Sequence, residues 1–424
     1  MKQMKDSGIE WIGQIPEEWN IWPTKRFFRH TKTLAGEQVD SYERLALTMN
    51  GVIKRSKDDS EGLQPEKFDT YQVLRENELV FKLIDLANVK TSRVGLSPYT
   101  GIVSPAYIIL TNDNEDNRFY YYYFMSMYYN EIFNNLGDNG VRSSLNAQDL
   151  LNIPMVDIPS SLQKRIADFL DEKCGKIDRY IEKQQQVIEK LKAYKQSVIT
   201  EAVTKGLNPD VPMKDSGIEW IGMIPVHWET PEIKYLVRIA SGGTPDRNHP
   251  EYWNGNIPWI KTGELQNDII ISAEEYITDE GLNNSSAQIF DVDTILVAMY
   301  GQGKTRGMTG LLKIPASTNQ ACAGLTVSSP SIHIQYLWQC LIGAYDAIRA
   351  EAAGSGQPNL SATLIGNFHV ALPPIEEQDK IVDHIKNRTA EISSAIEKAD
   401  SLLNKLIEYK KSLIYEAVTG KLEV

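Results

Sequence analysis

A chain of 424 residues with 42% hydrophobic and 24% charged residues is long enough for two or more domains with cores of their own. Its formal charge of −12 argues against tight non-specific binding of nucleic acid by the isolated chain, and leaves room for a partner that supplies positive charge. No apolar run reaches the ~18 residues of a membrane span, the N-terminus has no apolar signal core, and Cys174, Cys322 and Cys340 are scattered without zinc-like spacing, so a reduced, cytoplasmic protein with no membrane partner is expected.

In chain order, the first feature is the segment MKDSGIEWIG at 4–13, which returns unchanged at 213–222, an offset of 209 residues. Ile15, Pro16 and Trp19 then match Ile224, Pro225 and Trp228. Ten identical residues in a row, a tryptophan among them, define an internal repeat. The middle of the first copy, 23–144, reads as mixed α+β. Glu78–Leu83 has the composition of a strand, and Phe119–Phe133 is apolar and long enough for a helix. The tyrosine run Tyr120–Tyr123 fits helix packing better than base stacking. A polar, glycine-containing loop follows at 137–144.

From Gln163 to Thr204 there is no proline and only one glycine, Gly175. Ile177, Ile181, Gln184, Ile188, Leu191, Lys195, Val198 and Ala202 recur at alternating steps of four and three, which is a heptad seam. A helix of about 42 residues is a rod of roughly 60 Å. Lys195 on the seam either fixes register or partner choice, or extends its ammonium out to water.

The second copy repeats this plan. Its middle, 232–359, carries a short strand running into a turn at Asn256–Leu265, an apolar β-rich run at Asp293–Met299, and an apolar helical stretch at Gln335–Ile348. A second echo then holds an offset of 215: Gly95 with Gly310, Ala106 with Ala321, Leu145 with Leu360, Asn152 with Asn367, Pro159 with Pro374, Gln163 with Gln378, and EAVT at 201–204 with 416–419. The second seam, Ile392, Ile396, Ala399, Leu403, Leu406, Lys410, Leu413 and Ala417, keeps the register of the first, lysine included. Pairing the two helices covers both seams at once. The expected fold is α+β: two tandem domains of mixed α/β structure joined by two long helices that pair as an antiparallel coiled coil, with pseudo-twofold symmetry. The expected division is 1–157, 158–207, 208–372 and 373–424, with the first and third segments globular.

One stretch invites an enzymatic reading. Gly301-Gln302-Gly303-Lys304-Thr305 resembles the end of a phosphate-binding loop, but Ala298 stands where its first glycine belongs, and Arg306–Gly310 is a poor helix start. No GxSxG, HExxH or paired-cysteine motif is present, and the six histidines lie far apart. No catalytic residue and no metal site is expected.

The tandem plan, the two DSGIEWIG openings, Ile257–Leu265 (IPWIKTGEL), Thr318-Asn319-Gln320-Ala321 and GSGQPNLS at 354–361 together resemble the specificity subunit of Type I restriction–modification systems. The first middle departs from that pattern, with Val103-Ser104-Pro105-Ala106 in place of the second motif. The resemblance implies two target-recognition domains, each reading half of a bipartite, asymmetric site in double-stranded DNA. It also implies spacer helices that measure the gap between halves and dock two modification (methyltransferase) subunits. The chain itself then binds no cofactor: S-adenosylmethionine, ATP and Mg belong to partner modification and restriction/motor subunits. Base reading by Arg, Lys, Asn and Gln on polar loops makes Lys54, Arg55, Lys57, Lys90, Arg93, Asn139 and Arg142 the candidates in the first domain. In the second they are Lys261, Thr262, Lys304, Arg306, Gln357 and Asn359. The rival readings are a bivalent protein scaffold with no sequence readout and a nucleotide hydrolase dependent on Lys304.

Overall fold

The computed structural model describes residues 3–59, 68–84, 86, 93–136, 144–301, 303–354 and 359–424. It divides into two compact units, one made of 1–185 with 401–424 and the other of 186–400. No helix among the described residues is long and apolar enough to cross a membrane.

The first unit opens with an antiparallel hairpin, Met4–Asp6 against Gln14–Pro16. Gly8 and Gly13 sit at φ +72° and +68°, a left-handed conformation that glycine adopts without strain, and the Asp6 carboxylate accepts from the Gly8 N–H at 3.0 Å. The repeated segment builds the same hairpin in the second unit, Met213–Asp215 against Met223–Pro225, with Gly217 and Gly222 at +73° and +65°.

Each hairpin has the same dock. Ile12, Ile15 and Trp19 share a core with Leu413, Ile414, Ala417 and Val418, at the end of the second long helix, Ile375–Val418. Ile221, Ile224 and Trp228 share one with Ile199, Ala202 and Val203, at the end of the first long helix, Ser160–Lys205. Gly420 and Gly206, both at φ +73°, end these helices directly beneath the two tryptophans, where a Cβ would lie 2.8 Å and 3.0 Å from the indole rings. The hairpin and the EAVT sequence are repeated together because they are the two sides of one contact.

Between hairpin and helix, both units carry the same central sheet. In the first unit its order is Arg29–His30, Ile108–Thr111, Leu79–Phe81, Val94–Leu96; in the second it is Val237–Ser241, Cys322–Val327, Ile295–Ala298, Thr309–Leu312. The second adds a fifth strand, Asp268–Ile270, parallel to Thr309–Leu312. Gly95 and Gly310 occupy matching places in this sheet, and a Cβ on either would fall inside contact distance of Leu47 and Val52, or of Ile270. Neighbouring side chains fill that space, so both copies need glycine there. A second sheet packs beside each: Gly51–Arg55, Arg44–Thr48, Gly101–Val103, Gln72–Leu74 in one unit, and Glu275–Ile277, Trp253–Ile260, Ser317–Thr318 in the other.

The apolar stretches 119–133 and 335–348 are each broken into two helices, Arg118–Tyr129 with Ile132–Asn135, and Ile334–Gly343 with Tyr345–Gly354. In the second unit the break has a visible cause. Gln196 Nε2 and Thr200 Oγ1 of the first long helix donate to the carbonyls of Ile342 and Gly343 at 2.8 and 3.0 Å, capping the helix end. In the first unit the tyrosine run lies in the helix core. Tyr120, Tyr122 and Tyr123 are buried, Tyr122 donates to Asp171 at 2.6 Å and Tyr123 to the Pro154 carbonyl at 3.0 Å.

The two long helices pair antiparallel inside each unit. In the first, Lys410 Nζ donates to the Asp178 carboxylate at 2.6 and 2.8 Å, while Arg165 reaches the carbonyl of Val424. In the second, Lys195 Nζ donates to Ser393 Oγ at 2.9 Å and Arg388 to Tyr194 Oη at 3.1 Å. Ile177, Ile188, Ala202, Ile392, Ala399, Leu413 and Ala417 are buried, and Ile181, Leu191, Val198, Ile396, Leu403 and Leu406 are half-buried. Both seam lysines cross to the opposite helix rather than extending to water, and by the 215-residue offset they make equivalent contacts.

Trp228 Nε1 donates to Glu377 at 3.0 Å, whereas the buried Trp19 Nε1 has no partner among the described residues. Trp228→Phe is therefore expected to cost about 1–2 kcal/mol more than Trp19→Phe, measured by denaturant unfolding of the two variants. Equal losses would show that the Glu377 bond contributes nothing.

Candidate nucleic-acid interface

The structure gathers part of the first candidate set. Lys54, Arg55 and Lys57 line a depression of about 410 Å³ with Glu43, Arg44 and Ser56. Each cation already has an anionic neighbour: Lys54 with Glu43 at 2.6 Å, Arg55 with Asp59 at 2.6 Å, and Lys57 with Asp40 at 3.8 Å plus the Val39 carbonyl at 2.7 Å. Glu43 holds the Lys54 ammonium above its ordinary pKa range. Arg44 was not singled out from the sequence; it is buried, with its guanidinium 5.4 Å from the Phe68 ring.

Arg93 is a correction. It is 3% exposed, donates to Asn134 Oδ1 at 3.0 Å and also reaches the Leu86 carbonyl. A guanidinium enclosed in the fold cannot reach a base edge, and nothing in local sequence distinguishes it from a surface arginine. Lys90, Asn139, Arg142 and Gln357 lie outside the described residues.

In the second unit Lys261 and Thr262 sit where the strand Trp253–Ile260 turns into the 3-10 turn Thr262–Glu264. Lys261 bonds Glu274 at 2.9 Å and Glu275 at 3.1 Å, and these carboxylates raise its pKa. Glu275 also binds Arg247 at 2.7 Å, and the Arg247 guanidinium lies 3.6 Å from the centre of the Trp253 ring and 5.2 Å from that of Trp259. Arg247 was missed in the sequence because its partners come from two other segments, the strands Trp253–Ile260 and Glu275–Ile277.

Lys304 and Arg306 lie on the loop joining the strands Ile295–Ala298 and Thr309–Leu312. Lys304 is exposed, while Arg306 is half-buried with its Nε atom enclosed and unpartnered. Asn359 is brought to the same end of the domain: the Leu360 N–H donates to the Met299 carbonyl at 3.0 Å, and Asn359 lines a depression of about 560 Å³ with Tyr300 and Ser361. The phosphate-loop reading fails on geometry, because the chain runs from Thr305 through Gly307 (φ +84°) into a strand rather than a helix.

A family model described as the Type I restriction modification DNA specificity domain matches residues 225–400. The chain is 27% identical over 198 residues to the Type I restriction enzyme EcoR124I/EcoR124II specificity subunit of Escherichia coli, a match covering 45% of this chain and 48% of that protein. It is 31% identical over 166 residues to the MjaIX specificity subunit of Methanocaldococcus jannaschii, covering 38% of each. In these matches the chain spans about half or less of the relative's length. It also superposes with a TM-score of 0.70, at 13% identity, on a protein from a structural study of complex assembly and conformational transition in the type I R-M system, covering 96% of this chain and 99% of that one. Residues 225–400 thus match the Type I restriction modification DNA specificity domain, and the chain shares the fold of that solved protein.

Motifs that carry the family likeness prove to be structural. In Thr318-Asn319-Gln320-Ala321 the fully buried Thr318 donates its hydroxyl to the Ile260 carbonyl at 2.8 Å, and its own carbonyl accepts from the Gly243 N–H at 2.8 Å. A Cβ on Gly242 would lie 2.2 Å from that same carbonyl oxygen. The motif thus ties two strands and a glycine turn together, and its absence from the first domain goes with a different second sheet. The three cysteines are buried, and burial pushes their thiols up to about 11 for Cys174 and about 12 for Cys322 and Cys340. They are side chains of the core, poorly suited to act as nucleophiles.

Proposed function

We propose that this chain is the sequence-reading component of a Type I restriction–modification assembly and performs no catalysis itself. Each α+β domain reads one half of a bipartite, asymmetric duplex site, and the long helices set the gap between the halves. The supporting observation is duplication: the strand and helix framework of the segment matched as a DNA specificity domain recurs in the first unit, with different connecting loops. A shared frame with divergent loops suits a protein that distinguishes two short sequences, because base identity is read by side chains while the frame fixes their approach. The corresponding division is a first recognition domain at 1–157, a spacer helix at 158–207, a second domain at 208–372 and a second helix at 373–424.

Docking of two modification subunits has support on the helices. Tyr180, Val187 and Tyr194 are exposed at intervals of seven on the first long helix, and Leu402 and Tyr409, the counterparts of Val187 and Tyr194 at an offset of 215, are exposed on the second. Large apolar side chains repeated along one stripe, away from a filled seam, fit a partner helix. Such partners would hold S-adenosylmethionine for adenine methylation, and separate motor subunits would use ATP and Mg.

Selection of bound duplexes from a randomised pool by the assembled complex is the deciding test. A two-part sequence should emerge; a bivalent scaffold would select none. Lys304→Ala is expected to weaken binding by about 1–3 kcal/mol at one half-site if the lysine reads a base, and uniformly across sequences if it binds phosphate. Matched seven-residue insertions after Gln185 and Ser401 lengthen the paired helices by about 10 Å, or roughly three base pairs. They should change the preferred spacer and leave both half-site sequences alone. Val187→Asp with Leu402→Asp should weaken association with the modification subunit by about 2 kcal/mol or more, read by co-purification, without lowering the unfolding midpoint.

A further inference from the structure

The loop between Ile295–Ala298 and Thr309–Leu312 carries glycines at φ +147° (Gly301), +61° (Gly303) and +84° (Gly307), so its backbone does not complete its own hydrogen bonds as a helix or strand would. Two side chains from the helix Tyr345–Gly354 do so instead. Tyr345 Oη donates to the Lys304 carbonyl at 2.6 Å. Arg349 Nη1 donates to the Arg306 carbonyl at 2.7 Å and Nη2 to the Gly303 carbonyl at 2.8 Å. Tyr345 and Arg349 are four residues apart, on one helix face, and their groups stack at 5.1 Å. Gly307 lies directly against both: a Cβ there would be 3.3 Å from Arg349 Cγ and 3.6 Å from the Tyr345 ring. One fork of planar donors thus spans three residues of loop.

The first unit has a guanidinium in the same place, attached to the other side. Arg93 precedes the strand Val94–Leu96, donates to Asn134 of the helix Ile132–Asn135, and reaches the carbonyl of Leu86 in the strand-connecting loop. By the 215-residue offset Asn134 is the counterpart of Arg349, and Leu86 of Gly301. The two domains share few identities here, yet each fastens this loop to this helix with one arginine.

We infer that Arg349, seconded by Tyr345, is a positioning residue: it holds the loop at 303–306 in the conformation that presents the exposed Lys304 side chain to DNA, without touching DNA itself. The inference deepens the DNA-reading proposal and rests on it for the last clause. The clamp itself is independent of DNA.

The test has two arms on the full chain. Hydrogen exchange of the free protein compares Arg349→Ala and Arg349→Lys with the parent. Exchange over 303–308 should rise about tenfold in both variants, because lysine keeps the charge but lacks the planar two-nitrogen fork that holds both carbonyls, while the strand 322–327 stays protected. Unchanged exchange at 303–308 would overturn the clamp whatever DNA binding shows. In the second arm, binding of the assembled complex to duplexes altered in one half-site or the other should show Arg349→Ala losing about tenfold at one half-site only. The slope of affinity against salt should stay as in the parent, whereas a lost phosphate contact lowers it by about one. Equal loss at both half-sites, or a reduced slope, overturns the positioning role. A parent complex that selects no sequence would defeat the DNA reading, and the exchange arm would still decide the clamp.

Discussion

An apolar seam on an otherwise polar helix has to be covered, and nearly everything in this fold follows from how that is done. Neither long helix can bury Ile177, Ile188, Ile392 or Leu413 alone. Within each unit a half of one helix lies antiparallel on a half of the other, so residues 401–424 belong to the same compact unit as residues 1–185. Lys410 to Asp178 and Lys195 to Ser393 cross the seam at equivalent positions. A shift of one helical turn would separate both pairs, leaving a half-buried ammonium without its acceptor, which disfavours other registers.

The helix ends then place the hairpins. Because each hairpin docks on the end of a long helix, the hairpin of the first repeat closes on the second helix and that of the second repeat on the first. The tryptophans, the glycines beneath them and EAVT are constant across repeats because they meet each other. The loops beyond the sheets meet nothing constant, so they were free to diverge.

Charge tells a related story. The chain is acidic overall, and several of its cationic candidates are held by carboxylates: Lys54 by Glu43, Arg55 by Asp59, and Lys261 by Glu274 and Glu275. An ion-paired cation has to exchange one anion for another to engage phosphate, which lowers non-specific attraction and leaves selection to geometry. Lys304 and Asn359, on segments joined through the Met299 carbonyl, are exposed at one end of the second domain.

The repeat, the heptad seams and the mixed α+β class were legible in the sequence because they are periodic: ten identical residues, alternating steps of four and three, and matched offsets survive without coordinates. So was the placing of the tyrosine run in a packed helix, although Tyr120, Tyr122 and Tyr123 are buried more completely than the sequence suggests. The break in the second unit's apolar helix did not show, because Gln196 and Thr200, more than a hundred residues away, cap it. Nor did the burial of Arg93, the Arg247 cluster or the Arg349 fork. A guanidinium looks alike in sequence whether it faces water, a carboxylate or a loop carbonyl, and only the packing of distant segments decides which it meets.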